Sequence, residues 1–347
     1  MPQTLKALDW CLAEIQRAAQ REGPAKGLVR GPLNDLTGDG VWAFNQAYMY
    51  AGLETLGQAL RQIGHARAGE CQTAARNLRR AIAAAFGAAT VRSPLVQLRD
   101  RTWIPYVPCE ALSSGRRFDQ WYPTDVDTGA VHLPRLKALP AREALTDYLL
   151  HDHEDNLYLH GWGMANEPVY NQQATVYLVR DDPQAAIRAF YSMMACAFSH
   201  SVYEPVEHRW TWGQYFGPPS TDGAWFELYR KMLIDERDDG TLLLLQATPR
   251  PWLVQGKQIE VERAPTYFGP LSMTATSHAA EGYIVAEIVM PPRRTPKMLI
   301  VRLRHPEGKA MRSAAVNGKD WRDFDPAREC VRIDEPAAQR YTVKVQY

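Results

Sequence analysis

Glu204 and Glu207 stand in the most chemically loaded stretch of this chain, Tyr203-Glu204-Pro205-Val206-Glu207-His208-Arg209-Trp210-Thr211-Trp212-Gly213-Gln214-Tyr215. Carboxylates give and take protons, and flat apolar rings stack on the faces of sugar rings. Two glutamates three residues apart can share one face of a short turn. The plainer account of Glu204-Pro205 is a helix start, where a carboxylate complements the helix dipole. The stretch lies between two apolar helical patterns, which predicts a loop, and loops held by helices are common places for chemistry.

Acid–base work on a glycosidic bond needs a second carboxylate across a cleft. Glu167, in Asn166-Glu167-Pro168, is the first choice, because the motif places it at a helix start. Glu154 and Asp152 are further acid candidates in the polar run His151-Asp152-His153-Glu154-Asp155-Asn156. The His-x-His spacing there invites a metal, but no third ligand follows at helical spacing and a solvated helix end accounts for it better, so neither metal nor cofactor is expected. Asp125 and Asp127, beside Trp121 and Tyr122, suit sugar hydroxyls, with Asx-turns as the structural alternative. His208, Arg209, Trp210, Trp212 and Trp162 complete the candidate binding set, with Trp103 as another stacking ring; each tryptophan also suits ordinary packing. Gly38-Asp39-Gly40 resembles part of a calcium loop, without that loop's twelve-residue ligand pattern.

Composition narrows the partners. At 347 residues with net charge +1 and no long run of one sign, the chain gives no electrostatic reason to expect nucleic acid or an anionic membrane. No apolar run reaches the roughly 18 residues that a membrane span needs. The five cysteines are scattered without a CxxC pair, which fits buried free thiols in a reducing compartment. No signal peptide is visible, and the expected location is the cytoplasm.

Apolar spacing predicts helices over 4–21, 41–63, 67–86 and about 141–150, with 90–135 irregular. Further helices are expected from Pro168, from an Asp182 cap to about Ser199, and from an Asp222 cap to about Leu233. Beyond that point the runs are short and alternating: 241–246, 258–262, 282–290, 298–304 and 341–345. Val316-Asn317-Gly318-Lys319 is a two-residue hairpin signal. Helices followed by strands predict an α+β multidomain chain, a helical-hairpin domain at 1–238 and a β-sandwich at 239–347.

Three segments carry a family resemblance: Gly38-Asp39-Gly40-Val41-Trp42 through Gly52-Leu53; Trp121-Tyr122-Pro123-Thr124-Asp125; and Leu245-Gln246-Ala247-Thr248-Pro249-Arg250-Pro251-Trp252-Leu253 followed by Thr266-Tyr267-Phe268-Gly269-Pro270. With the helix-then-strand order they resemble the six-hairpin (α/α)6 glycosidases, the last pair being similar to the helix-to-sandwich junction of rhamnosidase- and fucosidase-like members. About seven helices are countable, too few for six hairpins, so the resemblance implies the C-terminal portion of a larger enzyme. It implies an incomplete toroid, a carbohydrate substrate, and Glu204 or Glu207 as the base, with inversion of configuration preferred. A polysaccharide lyase using Tyr203, His208 and Arg209, or a non-catalytic carbohydrate-binding or scaffold fragment, are the rival readings. Apolar faces near residues 1–90 would be left open, which predicts self-association or an upstream segment that completes the ring.

Overall fold

The computed structural model describes residues 2–33, 39–115, 129–158, 172–198, 204–205 and 219–347. Among these residues the order is helices first and strands afterwards, an α+β fold. The chain separates into two compact units, one formed by Met1–Arg180 with Arg188–Trp225 and the other by Asp181–Ile187 with Phe226–Tyr347.

The first unit is helical. Helix α1 (Pro2–Ala19), α2 (Ala43–Gln62) and α3 (Ala68–Arg92) open it. Their buried faces carry Leu8, Leu12 and Ile15 on α1, Tyr50, Leu53 and Leu60 on α2, and Leu78, Ile82 and Phe86 on α3. Helices α2 and α3 lie close because Gly57 has no side chain; a Cβ there would sit 3.2 Å from the Cβ of Cys71. The fully buried Gln46 braces the preceding loop, donating to the Val29 carbonyl at 2.7 Å and accepting from the Val29 amide at 3.1 Å. A small hairpin follows, β1 (Leu95–Gln97) with β2 (Trp103–Pro105), then α4 (His132–Arg135), α5 (Ala144–His153), α6 (Gln173–Val179), and the parts of α7 (Pro183–Ala197) and α8 (Pro219–Leu233) that belong to this unit.

Expected and observed helix ends differ in informative ways. Helix α3 runs six residues past Phe86, because Ala89 and Thr90 continue its buried stripe. Asp182 accepts from the Ala185 amide at 3.1 Å, as an N-cap does. Asp222, expected as a cap, lies within the first turn of α8, which begins at Pro219. The start expected at Pro168 lies outside the described residues.

The second unit holds two sheets. One is six-stranded in the order β10-β9-β13-β7-β6-β5, and the other is five-stranded in the order β11-β12-β8-β4-β3. The first comprises β5 (Gln258–Thr266), β6 (Gly269–His278), β7 (Tyr283–Val289), β9 (Ser313–Val316), β10 (Lys319–Trp321) and β13 (Arg340–Gln346). The second comprises β3 (Ile234–Glu236), β4 (Thr241–Leu244), β8 (Met298–Arg302), β11 (Phe324–Asp325) and β12 (Cys330–Asp334). All pairs are antiparallel except β4 with β8. Alternate residues of both sheets, among them Leu271, Met273, Ile288 and Val343 from one and Leu244, Leu299, Val301 and Ile333 from the other, share one apolar core. Two sheets closed on a common core is what a sandwich requires. The Asn317-Gly318 turn joins β9 to β10 with Val316 opposite Lys319, and both turn residues take positive φ (51° and 75°), as such a turn demands.

Charged groups brace this unit. Arg302 and Arg304 are both 98% buried, unusual for arginine. Arg302 donates to the carbonyls of Gln246 (2.8 Å) and Arg328 (2.9 Å) and to Asp181 Oδ1 (2.9 Å). Arg304 donates to the Thr248 carbonyl at 3.1 Å and to Glu329 at 3.0 Å, and Glu329 is shared with Arg250 at 2.8 Å. The segment Leu245–Leu253 is therefore an irregular link between β4 and a short 3-10 turn, with its carbonyls answered by two arginines at the end of β8. Asp181 also pairs with the half-exposed Arg328. Burial works against its charge, but the Arg328 and Arg302 guanidiniums outweigh that and hold its carboxyl below the usual range.

Candidate functional site

Glu204 sits in the connection between α7 and α8, as a loop residue should. Just beyond α7, Phe198 forms an antiparallel bridge with Pro205. Pro205 is buried, and its carbonyl accepts from the hydroxyl of Thr221, in the first turn of α8, at 3.3 Å. The helices that carry this connection are locked by aromatic packing. The Trp225 ring stacks on Phe190 at 4.6 Å and meets Phe198 edge-on at 4.6 Å. The backbone at Glu204 is thus fixed next to a buried proline while its own side chain remains half-buried. Glu207, His208, Arg209, Trp210 and Trp212 lie outside the described residues, as do Glu167, Trp162, Trp121, Asp125, Asp127 and Tyr203.

The polar run at 151–156 is not a solvated helix end. Helix α5 extends through His153, and a π-helical turn covers Glu154–Tyr158. Residues two apart on a helix point in nearly opposite directions, so His151 is exposed while His153 is buried. That divergence removes the His-x-His metal geometry. Among the described residues, no three His, Cys, Asp or Glu side chains gather as ligands.

Glu154 has a defined surrounding that no local pattern signals. Its Oε2 accepts from the Tyr177 hydroxyl at 2.9 Å, and its Oε1 pairs with Arg188. The Tyr177 oxygen accepts in turn from Gln173 Nε2 at 2.8 Å. Burial, and next the Glu154 charge, push the Tyr177 phenol up, so it keeps its proton and donates. Asp152 is buried and accepts from Asn156 at 2.7 Å. The π turn itself is the local signal, since such turns concentrate where side chains are placed for a purpose. No sequence pattern announces it.

Other expected features resolve into structure. Gly40 is required because a Cβ would lie 2.5 Å from the Trp42 indole. The Trp42 ring packs with Leu33 and Cys109. Glu110, which sequence reading passed over, is buried and accepts from the amides of Val41 (2.7 Å) and Leu112 (2.9 Å), tying the Gly40–Trp42 segment to the following loop. Trp103 stands on the exposed face of the β1–β2 hairpin.

No family model matches the chain, and no curated protein matches it. Solved structures do, and the likeness is one of fold at low sequence identity. The crystal structure of Streptomyces avermitilis α-L-rhamnosidase complexed with L-rhamnose aligns at a TM-score of 0.55 and 11% identity, over 99% of this chain and 31% of that one. A structure described as a glycoside hydrolase aligns at a TM-score of 0.36 and 13% identity, over 99% and 69% of the two chains. This chain therefore spans about a third of the rhamnosidase's length.

Proposed function

We propose that this chain is a glycoside hydrolase-like protein whose site is the α7–α8 connection, with Glu204 or Glu207 as the general base. The observation that carries the reading is the coincidence of two independent facts. Glu204 and Pro205, near the start of the carboxylate- and aromatic-rich stretch of the sequence, lie between α7 and α8, where Phe198 bridges Pro205 and Thr221 donates to its carbonyl. The whole chain also follows the fold of an α-L-rhamnosidase. In this reading the helices are part of an (α/α)6 toroid, residues 1–238 form that domain, and residues 239–347 form the β-sandwich.

The chemistry is protonation of the glycosidic oxygen by one carboxylic acid while the base activates water on the opposite face. Inversion is the preferred outcome and needs a carboxyl separation of roughly 6.5–9.5 Å. Glu167 is the first choice for the acid. Glu154 is placed second on two grounds. Its two oxygens already accept from Tyr177 and Arg188. Arg188 also lies early in α7 whereas Glu204 follows its end, roughly 15 Å away along a helix rising 1.5 Å per residue. Trp121, Trp162, Trp210 and Trp212 would stack on the sugar, and Asp125, Asp127, His208 and Arg209 would hold its hydroxyls.

The test is hydrolysis of a panel of aryl glycosides that includes an α-L-rhamnoside, with proton NMR of the first-formed anomer. Glu204→Gln or Glu207→Gln should abolish turnover and leave sugar binding intact. Wild-type rates in both variants would remove the loop from the chemistry. Binding without turnover in the wild type would replace the reading with a carbohydrate-binding scaffold, and a product absorbing as a new C=C bond would replace it with a lyase.

A further inference from the structure

Helix α8 presents Thr221 and Trp225 on one face, since they stand four residues apart near its start. Each holds one arm of the connection that carries Glu204. Trp225 meets the Phe198 ring edge-on at 4.6 Å and stacks on Phe190 of α7 at 4.6 Å. Thr221 donates its hydroxyl to the Pro205 carbonyl at 3.3 Å. Phe198 and Pro205 are themselves bridged. Ring, bridge and hydroxyl thus close a circle of contacts around one point of the backbone, and Glu204 is the residue next to it.

The Thr221 hydroxyl is the directional member of this set. Thr221 is fully buried. Proline lacks an N–H, so the carbonyl is the one backbone group that Pro205 can offer. Burying a hydroxyl and a carbonyl is tolerated when each finds the other. The same turn of α8 is tied to the start of α6. Gln172 donates to the Ala224 carbonyl at 3.5 Å, and its own oxygen accepts from the Thr175 hydroxyl at 3.0 Å. Gln172 and Thr175 are buried as well. Helix α8 therefore starts from a braced position and passes that position to Pro205. In sequence Glu204 stands one residue before Pro205 and Glu207 two after.

We propose that Thr221 is a positioning residue for the general base: it fixes the backbone at Pro205 so that the carboxylate beside it meets the attacking water at working distance. The proposal rests on the reading that the base lies on this connection. An inverting site leaves room for one water between base and sugar, and misplacing a reacting group by about 1 Å costs about 100-fold in rate. Ring packing has little directional preference, whereas a hydrogen bond weakens steeply off its axis. Trp225 therefore keeps the connection close, and Thr221 sets where along α8 it rests.

Steady-state kinetics of the full chain, on whichever aryl glycoside of the panel the wild type hydrolyses fastest, test the proposal together with hydrogen exchange of the peptide that contains Glu204. Thr221→Val keeps the shape and removes the hydroxyl. It should lower kcat by about 10- to 100-fold, leave KM within about twofold, and speed exchange. Thr221→Ser should bring kcat back to within about threefold of the wild type and restore slow exchange. Thr221→Cys, whose thiol is a weak donor of similar size, makes the same comparison if the valine variant does not fold. Thr146 supplies the matched control, because its hydroxyl is buried in the same unit and donates to the Pro140 carbonyl at 2.8 Å. Thr146→Val should lower the melting temperature as Thr221→Val does and leave kcat unchanged. Wild-type kcat in Thr221→Val, with Glu204→Gln or Glu207→Gln inactive, overturns the proposal and leaves the catalytic reading standing. Unchanged exchange, a serine variant no better than valine, or an equal loss of kcat in Thr146→Val overturns it too. Wild-type rates in both glutamine variants, or a wild type that hydrolyses nothing in the panel, overturn the catalytic reading and the proposal with it.

Discussion

Replacing Asp181 by asparagine removes the one negative charge shared by the buried Arg302, Arg328 and, at 3.7 Å, Arg237. The side chain keeps its size, and asparagine tolerates the left-handed backbone at this position (φ 58°) as well as aspartate does. The change is therefore electrostatic. Removing one partner of a buried ion pair costs about 3–5 kcal/mol when the other is left uncompensated. Arg302 keeps its bonds to the Gln246 and Arg328 carbonyls, so its guanidinium is not wholly orphaned, and the expected loss is about 2–3 kcal/mol. Arg328 is half exposed and adds little by itself. For a unit of this size the loss should lower the melting temperature by about 10 °C. The pH dependence carries a sign. The folded carboxyl titrates below its unfolded value, so its stabilisation is complete above the ordinary aspartate range and fades as pH falls through the lowered folded value. Differential scanning calorimetry of wild type, Asp181→Asn and Arg328→Ala at neutral and acidic pH reads both effects. A loss below about 1 kcal/mol in Asp181→Asn, the size of a surface pair, or a larger loss in Arg328→Ala, would refute the buried-pair account.

Glu204→Gln should lower glycoside turnover by about 100-fold or more, the scale of a general acid–base group, with the melting temperature unchanged because Glu204 is only half-buried; steady-state kinetics and calorimetry on the same sample check it. Gly40→Ala should cost about 1–3 kcal/mol, since its Cβ would overlap the Trp42 ring, and urea unfolding followed by tryptophan fluorescence measures it. Burial holds the His305 imidazole below its ordinary value, so its stabilising effect is present above about pH 6.5 and is lost as pH falls further. In His305→Gln that part of the pH dependence should disappear from denaturant midpoints.

Much of the fold is legible because its signals are local. Helical apolar spacing located α1, α2, α3 and α5, and the start of α7 followed from the Asp182 cap, which rests on one side chain and the amide three residues on. Asn317-Gly318 fixed a hairpin because few residue pairs accept its positive φ values. Strands β1, β2, β3, β11 and β12 went unread: at two to five residues each, they are too short for alternation to register. The ten-residue β6 also went unread, because its inward positions include the small Ala275 and Ser277 and so give a weak apolar alternation. The run at 151–156 reads as a solvated end because the partners of Glu154, Tyr177 and Arg188, lie more than twenty positions away.

The sequence by itself determined the order of helices before strands, the turn and cap chemistry, and the placing of Glu204 on a connection between helices, all set by interactions within a few residues. Only the tertiary structure decided which charges are buried. Arg302, Arg304 and Asp181 look like surface residues in the sequence, yet the segment Asp181–Ile187 belongs with the strands, and its carboxylate is answered by arginines more than a hundred positions away. Burial of a charge is tolerated only when distant partners arrive together, and that is a property of the folded chain, which no window of sequence contains.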